Sequence, residues 1–329
     1  MSILVTGSAG HLGEALMRAL RQAGERPVGL DIKASPYTTM IGSITNPETT
    51  TKAMQGIKCV YHTATLHKPH IVTHSSEDFI QTNIIGTLNL LEAATKAKVD
   101  AFVFTSTTSV FGDALNPAPG EPAAWIDESV VPAVKNIYGA TKLAAEDLCR
   151  SAHRNQSLNC IVLRTSRFFP EDDDDKQKQA SYSADNLKAN EFLYRRVDLE
   201  DAVSAHFLAA QYAAKLGHEL FVISATTPFN QTQLDALGKN APPVVEALYP
   251  GLADLYARRN LQLLPVLDRV YSNRKARQLL NWQPKWDFAK ALECLSQDRP
   301  VASQLAQEVG VKGYHNTIFT DGPYPVETS

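Results

Sequence analysis

The chain has 329 residues, 44% hydrophobic and 20% charged, an ordinary globular profile that is long enough to bury its own core. Lys and Arg number 32 against 35 Asp and Glu, for a net charge of -3, which excludes a nucleic-acid or anionic-membrane binder driven by bulk charge. Unremarkable counts of Gly (17) and Pro (18) exclude collagen and wholesale disorder.

Length alone suggests two domains or one large α/β unit. Cys59, Cys149, Cys160 and Cys294 form no Cys-x-x-Cys pair, which argues against zinc ribbons and thioredoxin-like motifs and fits a reducing compartment. The first residues show no basic and then apolar leader, and no apolar run reaches membrane-span length. The expectation is a soluble cytoplasmic protein.

In chain order, Ile3 to Val5 is a short apolar run closed by Gly7, the pattern of a buried strand. Gly13 to Ala23 carries Leu12, Leu16, Ala19 and Leu20 at helical spacing and stops at Gly24. Val28 to Asp31 reads as a second strand, which completes a βαβ unit. Cys59–His62, Ala101–Thr105 and Cys160–Leu163 read as further strands. Asn83–Ala97, with Ile84, Ile85, Leu88, Leu91 and Ala94 apolar, and Ile137–Arg150 read as helices. This alternation predicts an α/β fold: a doubly wound parallel sheet, Rossmann-like, with helices on both faces. Beyond Arg164 the pattern weakens. Pro170–Lys178, with aspartates at 172–175, reads as an exposed loop. Residues 226–265 read as short helices and loops, and Arg299–Ser329 as an aperiodic tail. Strands return near Arg196 and Phe221. The expected division is a dinucleotide-binding domain over 1–165 plus about 193–224. A smaller, mixed substrate lobe would cover about 166–192 and 225–329.

Gly7-Ser8-Ala9-Gly10-His11-Leu12-Gly13 stands between the first strand and the first helix. Glycines there permit positive φ, let phosphate oxygens approach the backbone and allow close helix–sheet packing, while the helix N-terminus offers N–H groups to an anion. Asp31 ends the second strand, where a carboxylate accepts from ribose hydroxyls and repels a 2′-phosphate, favouring NAD over NADP.

Tyr138 and Lys142 share a helix face at i, i+4. An ammonium beside a phenol stabilises the phenolate and makes a tyrosine usable as acid or base near neutral pH. Tyr271 and Lys275 repeat the spacing, so spacing alone does not choose. Context does: Tyr138 opens a helix next to the segment Thr105–Gly112 that leaves a parallel strand, where ligands bind, whereas Tyr271 lies beyond the βαβ pattern.

With these pieces in place the chain resembles the extended short-chain dehydrogenase/reductase family of the NAD-dependent epimerase/dehydratase type. The matching segments are Gly7–Gly13, Val60–Ala64, Asn83–Ala94, Phe102–Gly112, Tyr138–Lys142, Arg196–Val203, and Asn273–Arg277 on to Trp282–Pro284, in family order. The resemblance implies NAD as cofactor, held by Gly7, Gly10, His11, Leu12, Gly13, Asp31, Ser43, Ile44, Thr63, Ala64, Thr65, Tyr138 and Lys142. It implies Thr107 as the hydroxyl that completes the catalytic set, with Ser106 and Thr108 as alternatives. It also implies a homodimer paired through Asn83–Ala97 and Ile137–Arg150.

Departures from the family pattern narrow the chemistry. Thr108 and Ser109 stand where family dehydratases carry acids, which argues against elimination. Arg167 replaces a phosphate-contacting Asn; it would clamp a substrate carboxylate or phosphate, or pair with the acidic run 171–175. His67, His70 and His74 have metal-like spacing, but Pro69 interrupts a helix through them. Either a loop over the nicotinamide in which His67 or Lys68 touches substrate or a simple polar loop is favoured over a metal site, and no metal is expected. The expected function is NAD-dependent oxidation or reduction at a secondary alcohol or ketone of a sugar or sugar derivative. The alternatives are a nucleotide-sugar 4-epimerase and a non-catalytic NAD-binding sensor. The expected partner is a small-molecule substrate (a sugar, sugar acid or sugar nucleotide), with no nucleic acid and no membrane.

Overall fold

A computed structural model describes residues 2–171 and 176–313, without the side chains at 176, 177 and 179. The aspartates at 172–175 and the tail beyond 313 lie outside the described residues.

Among the described residues, seven strands form one parallel sheet in the order β3-β2-β1-β4-β5-β7-β8. They are β1 (Ile3–Thr6), β2 (Val28–Asp31), β3 (Met40–Ile41), β4 (Cys59–His62), β5 (Ala101–Thr107), β7 (Cys160–Thr165) and β8 (His218–Ile223). The remaining strands, β6 (Ala124–Ile126) and β9 (Arg269–Tyr271), pair parallel in a second, two-stranded sheet. The helices through the first two-thirds of the chain are α1 (His11–Gln22), α2 (Pro47–Ala53), α3 (Ser76–Phe79), α4 (Gly86–Ala97), α5 (Ile137–Gln156), α6 (Lys176–Ser181), α7 (Ala184–Glu191) and α8 (Leu199–Leu216).

The sheet is buried on both faces because its strands alternate. Ile3 and Val5 of β1 join Leu12, Leu16, Ala202 and Trp282 on the face covered by α1 and α8. Leu4 joins Leu30, Leu90, Phe102 and Ala145 on the face covered by α4 and α5. A period of two on each strand, each residue class meeting helices, is what a doubly wound sheet requires. The strand order reverses between β1 and β4, so a crevice opens beyond their C-terminal ends.

A separate apolar cluster gathers Leu187, Phe192, Phe229, Leu237, Val245, Tyr256, Trp286 and Phe288. Two strips of chain cross between the regions: β6 leaves the first half to pair with β9, and Asp201 of α8 accepts from the Lys285 and Trp286 N–H groups at 2.8 Å each.

Several sequence expectations change in detail. The helix expected from Asn83 begins as a π-helical turn, Ile80–Ile85, that passes into α4. The expected exposed loop 170–178 holds a largely buried Glu171 and gives way to α6 at Lys176. The expected tail contains a helix, Gln304–Val309, capped by Ser303 and packed on α1 and α8 through Leu305, Ala306 and Val309. Arg196 forms only an isolated bridge with Arg167, while the strand near Phe221 is β8. The four cysteines are free and buried, and among the described residues no helix is long and apolar enough to cross a membrane.

Candidate active site

A cleft of about 1220 Å³ opens at the β1/β4 switch point. Its floor begins with the glycine turn. Gly7 has φ +73° and donates to Leu30 O at 2.8 Å, and a Cβ on it would sit 2.7 Å from the Ala64 nitrogen. Gly13 packs so tightly that a Cβ would lie 1.9 Å from Gly7 O. Gly10 starts α1 with extended backbone and no side-chain cap, so the first-turn N–H groups, His11 and Leu12 among them, face the crevice as an anion seat.

Asp31 borders this turn. Its carboxylate accepts from Ala9 N at 2.9 Å and Lys33 N at 2.8 Å, which fixes both oxygens at the cleft rim with lone pairs to spare. Ser43 and Ile44 line the same side. The Ser43 hydroxyl accepts from Thr45 N at 3.1 Å, and Asn89 Nδ2 of α4 holds the Ile44 carbonyl at 3.1 Å. Thr63, Ala64 and Thr65 follow β4 and form the opposite wall. Thr63 donates to Thr6 O at 2.7 Å and Thr65 to Asn83 Oδ1 at 2.8 Å.

The residues present fit a dinucleotide: a cradle with no room for Cβ atoms, an uncapped helix N-terminus, and a fixed carboxylate beside them. Asn83 is an addition the sequence did not single out. It accepts from Leu66 N at 2.8 Å and donates to Leu66 O at 3.1 Å and Thr141 Oγ1 at 3.0 Å, tying the wall loop to α5. The available sequence signal was an amide at helical spacing (i, i+7, i+11) from the apolar Leu90 and Ala94.

At the far end Thr107, Tyr138 and Lys142 come together. β5 runs through Thr107, and Asn136 caps α5 by accepting from Gly139 N at 3.0 Å, which sets Tyr138 in the first turn. The Thr107 and Tyr138 side chains both line the cleft, close enough for Thr107 to draw the phenol down against burial. Thr107 also donates to Ser109 Oγ at 3.2 Å. Lys142 is buried one turn on and donates to Thr105 O at 2.6 Å, its Nζ 4.0 Å from the Phe104 ring centroid. Burial pushes the Tyr138 phenol up to about 12, only partly offset by Thr107. It pulls the Lys142 ammonium down to about 7 against the opposing field of Glu146. The expected lowering of the tyrosine by the nearby ammonium is thus corrected: burial is the larger influence and raises the phenol, which stands neutral as a proton donor in this state.

Of the alternatives to Thr107, Ser106 is spoken for, donating to Glu146 Oε1 at 2.5 Å, while Thr108 is buried at the cleft edge. Lys68 opens a 3₁₀ turn, Lys68–Val72, with Pro69 buried in it. His67 precedes this turn, with its ring 6.1 Å from that of Tyr138 and 5.5 Å from that of Phe169. Burial, then His70 and Lys142, hold His67 well below the usual histidine range, so it is neutral. Arg167 lines the cleft, donates to Glu171 O at 3.1 Å and lies 3.7 Å from the Glu191 carboxylate, an acid outside the run considered from sequence. Glu191 also pairs with Arg195 at 2.6 Å and Arg196 at 2.7 Å. Tyr271 reaches the cleft from β9, but its companion Lys275 pairs with Glu219 at 2.6 Å, so the repeated spacing builds no second site.

Near the glycine turn, His11 lies 2.7 Å from Glu171, Lys312 N donates to Glu171 at 3.2 Å, and the Lys312 ammonium pairs with Glu14. The far end of the described chain therefore returns to the start of α1, a closure that no local pattern announces.

Fold and site together define a dinucleotide-dependent α/β enzyme of the short-chain dehydrogenase/reductase type. The model of the NAD dependent epimerase/dehydratase family matches residues 3–224, and the chain belongs to that family. A UDP-glucose 4-epimerase from Azospirillum brasilense is 26% identical, with 94% of each chain covered. A 2-alkyl-3-oxoalkanoate reductase from Shewanella oneidensis is 31% identical over 50% of this chain and 43% of its own length. A short-chain dehydrogenase/reductase superfamily protein from Agrobacterium tumefaciens, solved with bound NAD, shares the fold at a TM-score of 0.64 and 23% identity, covering 94% of this chain and 99% of that one. NAD is the cofactor, and the chemistry is that of NAD-dependent reductases, dehydrogenases and epimerases.

Proposed function

We propose that this enzyme interconverts a secondary alcohol and its ketone on a sugar or sugar derivative, with Thr107, Tyr138 and Lys142 as the catalytic set. The observation that carries the reading is that Thr107 and Tyr138 line one wall of the cleft together, with Lys142 buried one turn along α5 behind Tyr138 and held by Thr105 O at 2.6 Å. When bound, NAD supplies the hydride chemistry. Thr107 orients the substrate oxygen. Tyr138 gives its proton to a carbonyl oxygen in reduction; the reverse oxidation starts from its phenolate, which takes the hydroxyl proton. The Lys142 charge offsets the phenolate left behind.

The cofactor-binding set comprises Gly7, Gly10, His11, Leu12, Gly13, Asp31, Ser43, Ile44 and Thr63 to Thr65, with Tyr138 and Lys142 at the nicotinamide end. The substrate side comprises His67, Lys68, Thr108 and Arg167. Arg167, Arg195 and Arg269 all line it, which supports a substrate bearing a carboxylate or phosphate. The alternative outcome, epimerisation of a nucleotide sugar, is favoured by the full-length likeness to a UDP-glucose 4-epimerase. The apolar cluster around Phe192 and Trp286 supports a substrate lobe distinct from the cofactor domain. The half-buried Ile84, Ile85 and Leu88 support pairing of two copies through α4 and α5. Four buried free thiols support a cytoplasmic setting.

The test is a panel of sugar acids, sugar nucleotides and simple sugars, followed by NADH absorbance and product analysis, on the wild type and Tyr138→Phe. The expected result is net NADH from the wild type and at least a ~100-fold loss of turnover in the variant, with NAD affinity unchanged. Undiminished turnover in Tyr138→Phe would refute the catalytic assignment. Product formation without net NADH would establish the epimerase.

A further inference from the structure

Tyr138, Lys142 and Glu146 follow one another at i, i+4 along α5, and all three are buried. The end of β5 meets them one for one. Thr107 lines the cleft beside Tyr138, the Thr105 carbonyl accepts from Lys142 at 2.6 Å, and Ser106 donates to Glu146 at 2.5 Å. Glu146 has a further partner in Arg164 of β7, which donates to its two oxygens at 3.0 and 2.7 Å and lies 4.8 Å from the centre of the Phe111 ring. Glu146 and Arg164 retain only 5% and 6% of their side-chain exposure.

An ion pair this buried recovers its desolvation cost poorly, so stability is a weak reason for its presence. Its position gives a better one. We propose that Glu146, held by Arg164 and Ser106, is a positioning residue: it locks the end of β5 against α5 so that Thr107 meets Tyr138, and it supplies the counter-charge that keeps Lys142 an ammonium. This rests on the catalytic reading of Thr107, Tyr138 and Lys142.

The charge argument has a definite sign. Lys142 is drawn down by burial, and the Glu146 carboxylate opposes that. The other groups around Lys142 do less for it. Tyr138 is neutral, Cys149 of its own helix and Cys160 of β7 are buried thiols, and His62 of β4 and His67 of the wall loop are held neutral. Arg164 is cationic and engaged with Glu146. The lysine charge is present below its pKa and lost above it. Ketone reduction needs that charge, so its rate falls as pH rises through about 7, and loss of Glu146 moves that fall to lower pH.

Two variants test this. Glu146→Gln removes the carboxylate and leaves Arg164 buried without its counter-charge, which risks the fold. Glu146→Gln with Arg164→Met removes both charges together and is the better tolerated change. The full-length proteins are assayed for NAD affinity by fluorescence titration and for reduction rate against pH. The expected result, in whichever variant folds, is unchanged NAD affinity, roughly a 10-fold lower kcat, and a basic limb displaced to lower pH. A folded variant with wild-type kcat and an unmoved limb overturns the proposal. A lower kcat with the limb unmoved removes its electrostatic half and overturns it as stated. Failure of the underlying reading is separately visible, since Tyr138→Phe would then retain turnover.

Discussion

At the scale of single residues, the proposed preference for NAD over NADP rests on Asp31. The same carboxylate that would receive the ribose is held by two backbone N–H groups. Asp31→Asn removes the charge and turns an amide donor toward one of those donors. Charge-assisted hydrogen bonds contribute about 1.5–3 kcal/mol, so NAD affinity should fall by roughly 10-fold or more. NADP affinity should fall less, because the repulsion of a 2′-phosphate is relieved. Parallel titrations measure this, and an unaltered NAD-to-NADP ratio would reject the role of Asp31. Asp31 was legible in the sequence because βαβ spacing is local. Tyr138 was legible only with its strand context, since Tyr271 and Lys275 show the same interval. The upward push on the phenol was not legible, because its burial is decided by segments far away in the chain, the His67 ring of the wall loop at 6.1 Å among them.

At the scale of elements, the arginine cage around Glu191 shows what local patterns leave out. Arg195 and Arg196 are near neighbours on the chain, but Arg167 arrives from the segment after β7. Burial alone would raise the Glu191 carboxyl; the charges of Arg195, Arg167 and Arg196 outweigh it and bring it down to about 2. A carboxylate lowered on folding stabilises above its unfolded pKa and loses that contribution as pH falls through the folded value. The window therefore runs from about pH 4.5 down to 2, and the contribution at neutral pH is on the order of 3 kcal/mol. Urea unfolding of wild type and Glu191→Gln should show the gap between them narrowing across that window. A gap independent of pH would mean that the cage does not hold a charged Glu191. From sequence, Arg167 had two readings, a clamp for a substrate anion or a pair with the acidic run 171–175; Glu191 entered neither, because only adjacency along the chain was available, and residues 172–175 lie outside the described residues. The helix α7 that brings Glu191 back toward β7 has no strong period to announce it.

At the scale of the whole molecule, the question is whether the clusters on the large sheet and the separate cluster around Phe192 and Trp286 behave as one cooperative unit. The sheet was readable because each βαβ step is short and repeats. The second region was not, since β6 pairs with a strand more than a hundred residues further on, and its helices are short and irregularly spaced. Yet the seam is extensive. Ala276, Leu280, Trp282 and Val309 belong to the cluster under the large sheet, Asp201 anchors the Lys285–Trp286 backbone, and Ser303 N donates to Asp198 at 3.0 Å. The cleft itself is lined from Gly7 to Gly313. A ligand seated there touches both ends of the described chain, so its binding free energy should be felt by all of it. NAD at 100 times its Kd should stabilise the protein by about 2.7 kcal/mol. Calorimetry should then show one transition that moves upward as a unit, with NADP producing a smaller shift at equal concentration. Two transitions, with only one moved by NAD, would mean that the clusters unfold independently and that the seam does not couple them.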